Sequence, residues 1–111
     1  MHFCFMANYT PQALNAIMDN PTVSRVDAAR SLIEAAGGKL VAMYSTATEG
    51  PGALVIFDVP DPSAAPAISG VLTASGAAQH VRLIRLHTPD EIVGVRKIAA
   101  QIRGAYKPPQ K

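Results

Sequence analysis

Apolar positions fall along this chain in two rhythms, one of strands and one of helices. Residues 2–9 form a short apolar and aromatic run closed by Thr10-Pro11, which reads as a strand leading into a helix. The Thr10 side chain can accept from the first free backbone N–H groups, and Pro11 suits the first helical position, where no donor is needed. Leu14, Ile17 and Met18 then share one helical face. Asn20-Pro21 interrupts it, because proline lacks an N–H and biases the preceding residue away from helix. A second helix is predicted from about Ser24, with Val26, Ala29, Ile33 and Ala36 at helical spacing as a buried stripe. Gly37-Gly38 ends it as a left-handed cap.

Two strands follow, near residues 39–47 and 53–59, joined by the tight turn Gly50-Pro51-Gly52. Pro60-Asp61-Pro62-Ser63 opens an alanine-rich helix that sets Ala64, Ile68, Val71, Leu72 and Ser75 on one face and stops at Gly76. Val81 to His87 reads as the fourth strand. Thr88-Pro89-Asp90-Glu91 has the form of a capping box, in which Thr88 caps and Glu91 reaches back. The last helix would turn Ile92, Val95, Ala99 and Ile102 inward and Arg96 and Arg103 outward. Residues 1–106 make a single domain, and 107–111 a flexible basic tail.

The order is βαββαβ with a terminal helix. Strands joined through a helix run parallel, whereas the hairpin makes the second and third antiparallel. Right-handed crossovers that leave room for one strand give the order 4-1-3-2. This is an α+β ferredoxin-like plait, a four-stranded antiparallel sheet with both crossover helices on one face. A sheet with one wet face should alternate apolar and polar residues. Ala53-Leu54-Val55-Ile56-Phe57 and Phe3-Cys4-Phe5-Met6-Ala7 do not. The second face therefore needs cover, either from the terminal helix or, as the preferred reading, from a second subunit.

Composition agrees with an assembling domain. The chain has 111 residues, 49% hydrophobic and only 16% charged, against about 25% charged in typical domains. Net charge is +2, with Arg96, Lys97, Arg103, Lys107 and Lys111 gathered at the C-terminus. Only one aromatic residue, Tyr106, lies among them, too few to form a row of base-stacking platforms, so a solvated surface is expected, with neither nucleic acid nor membrane as partner. Cys4 is the single cysteine, which rules out an internal disulfide. The first ten residues lack a basic, small-residue leader pattern, and no apolar run reaches the roughly 20 residues of a membrane helix. A cytoplasmic location is expected.

The chain resembles the GYD-domain family of small bacterial proteins. The residues that carry the resemblance are Asn8-Tyr9-Thr10, Ala28-Ala29-Arg30, Gly37-Gly38-Lys39-Leu40, Val81-Arg82 and Thr88 to Ile92. It covers roughly residues 1–95 and implies a ferredoxin-like fold of the dimeric α/β-barrel type. The signature itself departs. Where the family has Gly-Tyr-Asp, this chain has Gly50-Pro51-Gly52, so a role resting on that tyrosine and aspartate is not carried over.

Motifs for chemistry are sparse. His2, His80 and His87 have no metal-ligand spacing, so neither metal nor cofactor is expected. Gly37-Gly38-Lys39 follows a helix, whereas a phosphate cradle precedes one. No Gly-x-Ser-x-Gly frame surrounds a serine. Cys4 amid Phe3, Phe5 and Met6 reads as a core residue.

One constellation stands out. Arg85 and His87 share parity on the fourth strand. If Ile84 and Leu86 pack on the helices, both look to the second face, where Asn8 and Tyr44 join them. Such a cleft would take a small anionic ligand; alternatively Arg85 and His87 sit at a subunit rim. The preferred function is a non-enzymatic, homo-oligomeric ligand-binding or regulatory module; the alternative, implied by the resemblance to the dimeric α/β-barrel type of fold, is a cofactor-independent isomerase or monooxygenase with His87 as base and Arg85 holding an enolate-like anion.

Overall fold

The computed structural model describes residues 1–110. Lys111, the last cation of the expected tail, lies outside the described residues. The elements are β1 (His2–Tyr9), α1 (Pro11–Asp19), α2 (Arg25–Ala35), β2 (Lys39–Thr46), β3 (Gly52–Asp58), α3 (Ala64–Ala74), β4 (Ala78–Leu86) and α4 (Pro89–Ile102), closed by a 3-10 turn at Arg103–Ala105. The sheet order is β2-β3-β1-β4 with every pair antiparallel, the expected 4-1-3-2 order read from the other edge.

The caps form as the sequence requires. Thr10 accepts from the Ala13 N–H and donates its hydroxyl to the Gly76 carbonyl at 2.7 Å, tying the start of α1 to the loop before β4. Ser24 caps α2 through the Asp27 N–H. Thr88 and Glu91 form a complete capping box on α4.

The core lies between the sheet and the crossover helices. Phe3, Phe5, Val55 and Phe57 pack against Ile33 of α2 and against Ala65 and Ile68 of α3. Phe57, Ile33 and Val59 are fully buried, and the Phe3 and Phe57 rings stack 6.0 Å apart. Val81 and Leu83 of β4 lean on this core, as do Leu40 and Met43 of β2. Val26, Met18 and Val71, expected inward, are exposed at the margins of their helices.

The opposite face of the sheet follows from the register. Cys4 sits between Ile56 and Ile84, and Met6 between Leu54 and Arg82. Ala42 and Tyr44 continue the rows on β2, beside Ile56 and Leu54. Cys4 is buried by its neighbours, whereas Met6, Leu54, Ile56, Ile84 and Leu86 are half-buried. Burial pushes the Cys4 thiol up, partly offset by the Arg82 charge.

The inward set expected on the terminal helix is corrected. No residue of α4 is buried, and Val95, Ile98 and Ile102 are 47%, 60% and 61% exposed. The helix extends from the body, so the radius of gyration is 17.6 Å, against about 13 Å for a compact chain of this size. Two apolar surfaces, the open sheet face and the α4 stripe, are thus left apart within one chain.

Candidate functional site

The most unusual backbone in the chain is at His80, which has φ +54 and is the one non-glycine residue with positive φ among those described. A left-handed conformation costs a side-chain-bearing residue about 1–2 kcal/mol. Its origin is a β-bulge. Met6 pairs with Arg82, but Asn8 pairs with Gln79, so His80 and Val81 together oppose Ala7. A bulge of this kind usually places glycine at its left-handed position. Here the position carries an imidazole, and strained residues of this sort cluster at binding and catalytic sites.

Asn8 holds that imidazole. Its Nδ2 donates to the Gly50 carbonyl at 3.2 Å and reaches the Glu49 carbonyl at 3.5 Å. Its Oδ1 lies 3.2 Å from His80 Nδ1. Only the amide nitrogen can face two carbonyl oxygens, so the carboxamide orientation is fixed. Oδ1 is therefore an acceptor, and in the neutral ring the proton sits on Nδ1. Nε2 keeps its lone pair and receives no hydrogen bond from any described residue.

The Gly50-Pro51-Gly52 turn supports this arrangement. Gly50 has φ +99, and a Cβ there would stand 3.0 Å from Asn8 Nδ2. A Cβ on Gly52 would collide with the Ala7 carbonyl oxygen. The Tyr9 N–H donates to the Pro51 carbonyl at 2.9 Å. The Gly50-Pro51-Gly52 turn is thus latched to β1 through Asn8 and Tyr9.

Around this node is a cleft of about 270 Å³, whose polar lining is Asn8, Thr46, Thr48, Glu49, His80 and Arg82. Met6 also lines it and belongs to the apolar open face. Arg82 makes no ion pair among the described residues and is exposed. A larger cavity of about 320 Å³ lies beside α1, among Tyr9, Ile17, Val23 and Arg25. Its lining is almost wholly apolar, and no hydrogen-bonded side-chain pair borders it.

The four residues expected to form a site do not come together. Asn8 is at the bulge. Tyr44 is on the same open face, 65% exposed, beside Leu54. Arg85 is on the other face: it pairs with Phe3, and its guanidinium lies 5.5 Å above the Phe3 ring. The expectation that it faces away from the helices is therefore corrected. Its acid partner is Glu91, 2.7 Å away at the start of α4. The guanidinium also donates to the His2 and Leu86 carbonyls. His87 lies beyond the end of β4 and is exposed. The residues missed were His80 and Arg82. The signal that could have found them is the polar run Gln79-His80 within the extended start of β4 (Ala78–Leu86).

The Thr88 backbone N–H and then the Arg85 guanidinium hold the Glu91 carboxyl at about 2, below its ordinary 4.5. Among the described residues no group of histidine, cysteine and acidic side chains is arranged to hold a metal. No helix among the described residues is long and apolar enough to cross a membrane.

A family model for the GYD domain matches residues 3–95. No curated protein matches the chain. Among solved structures, the chain is similar to 5-chloro-2-hydroxyhydroquinone dehydrochlorinase from Burkholderia phenoliruptrix in complex with 2,5-dihydroxybenzoquinone. The identity is 17% and the TM-score 0.47, over 81% of this chain and 97% of that one.

Proposed function

The chain belongs to the GYD-domain family, and from its site geometry we propose that it is a homo-oligomeric protein that binds a small anionic ligand in the cleft at the His80 bulge. The observation that carries this reading is Arg82, a guanidinium without an ion-pair partner among the described residues, lining a 270 Å³ cleft together with the Asn8–His80 pair. Arginine supplies a planar fork of donors that matches a carboxylate, and Met6 offers an apolar wall to the rest of the ligand. The volume is near the lower end of the roughly 300–1,000 Å³ of small-molecule sites.

Assembly is supported by the two separated apolar surfaces. A second copy stacked on the open face would bury Leu54, Ile56, Ile84 and Leu86 and would roof the cleft. A screen of small carboxylates by thermal shift tests the ligand reading. Stabilisation of the parent that disappears in Arg82→Met supports it. A response unchanged in Arg82→Met, or no response to any carboxylate, overturns it.

A further inference from the structure

The hydrogen-bond chain at the bulge does more than hold a ring. A histidine side chain in water favours the tautomer with its proton on Nε2. Here Asn8 Oδ1, itself oriented by the Gly50 and Glu49 carbonyls, requires the proton on Nδ1. A general base needs this: one ring nitrogen anchored as a donor and the other left as an acceptor on a ring that lines a cavity. The bulge carries a backbone cost that glycine would avoid, and it sets this ring beside Arg82 at one cleft.

We infer that His80 is a catalytic base for proton transfer at a carbon acid bearing a carboxylate, a 2-oxo acid being the simplest member of the class; the inference rests on the ligand reading above. Arg82 holds the carboxylate. Nε2 takes a proton from the carbon next to the carbonyl. The C–H pair becomes the carbon–carbon π bond, and the carbonyl π pair moves onto oxygen. Arg82 and the Thr46 and Thr48 hydroxyls line the space in which that charge develops. The imidazolium then returns its proton to the enolate oxygen. Keto form becomes enol form, with no oxidant, metal or co-reactant consumed. Asn8 is a positioning residue in this step, since it acts through His80. Glu49 is the acid of the cleft, a charge that the Arg82–carboxylate pairing must outweigh.

The test is proton–deuterium exchange at C3 of pyruvate, 2-oxobutyrate and phenylpyruvate in D2O, followed by NMR on the full chain, with binding read in parallel by thermal shift. Asparagine tolerates left-handed backbone, so His80→Asn retains the bulge and removes the base. The parent should accelerate exchange of at least one of these acids, and His80→Asn should lose it by about 100-fold or more, the range for a positioned acid–base group. Asn8→Ala should move the pH dependence of the residual exchange, which a purely structural residue would not. Equal exchange in parent and His80→Asn overturns the inference. So does parent exchange no faster than buffer for all three acids. If binding nevertheless depends on Arg82, the ligand reading survives that second result; if no acid binds either, both fail.

Discussion

The oxygen of the Asn8 carboxamide lies 3.2 Å from His80 Nδ1, and the nitrogen of the same group is spent on the carbonyl of Gly50. One side chain on a central strand thereby joins the β2–β3 hairpin to a bulge on the edge strand β4. Removing it should be felt in both places. Asn8→Ala should lower stability by about 1–3 kcal/mol, because partly buried hydrogen-bonding groups lose their partners. Urea unfolding checks this, and an unchanged midpoint would show that the hairpin and bulge hold themselves.

Gly52 should tolerate no side chain. Its backbone passes so close to the Ala7 carbonyl that any Cβ clashes, and the β1–β3 pairing beside it is central to the sheet. Gly52→Val should cost about 3 kcal/mol or more, or prevent folding, in line with severe backbone collisions in a core element. Gly50→Ala should be milder, since its penalty comes from φ +99 and one tight approach to Asn8. Comparing the two melting temperatures checks the ranking.

Acid should weaken the start of α4 through Glu91. Its folded pKa is depressed to about 2 from an ordinary 4.5, so its stabilising effect is fully present above about 4.5 and is lost as pH falls toward 2. Glu91→Gln should flatten that part of the acid limb. The check is stability measured between pH 5 and pH 2 in parent and variant. Identical acid limbs would show that the Thr88 and Arg85 interactions contribute nothing in solution.

The oligomer should appear at micromolar concentration as a light-scattering mass at least twice the 11.7 kDa of the chain. Ile56→Asp, on the open face, should shift the mass toward the monomer while leaving the helix-side core intact. A parent that is monomeric at all concentrations would contradict the assembly.

Much of the fold was legible because each element announces itself locally. Thr10-Pro11, Ser24 and the Thr88–Glu91 box mark helix starts, and Gly50-Pro51-Gly52 marks the hairpin that fixes the strand order. The facing of β4 was not legible. Its two sets, Val81 with Leu83 and Ile84 with Leu86, are equally apolar, and parity within one strand cannot choose between them. The register with β1 decides, because Phe3 and Phe5 of the core pair with Arg85 and Leu83. The bulge was invisible for a related reason. It is a mismatch between two strands, absent from either one alone, so His80 fell before the expected strand start while Asn8 was recognised. The outward course of α4 also escaped, since helical spacing makes Val95 and Ile102 read as a buried stripe without saying what the stripe would meet.

Asn8 fixes His80 as an Nδ1–H imidazole with a free Nε2. Long-range 1H–15N correlation spectra of the neutral imidazoles test it directly, with His80→Asn identifying its signals among those of His2 and His87. A protonated Nδ1 and an unprotonated Nε2 are expected at His80, reverting to the ordinary Nε2–H form in Asn8→Ala. An Nε2–H pattern at His80 in the parent would contradict it.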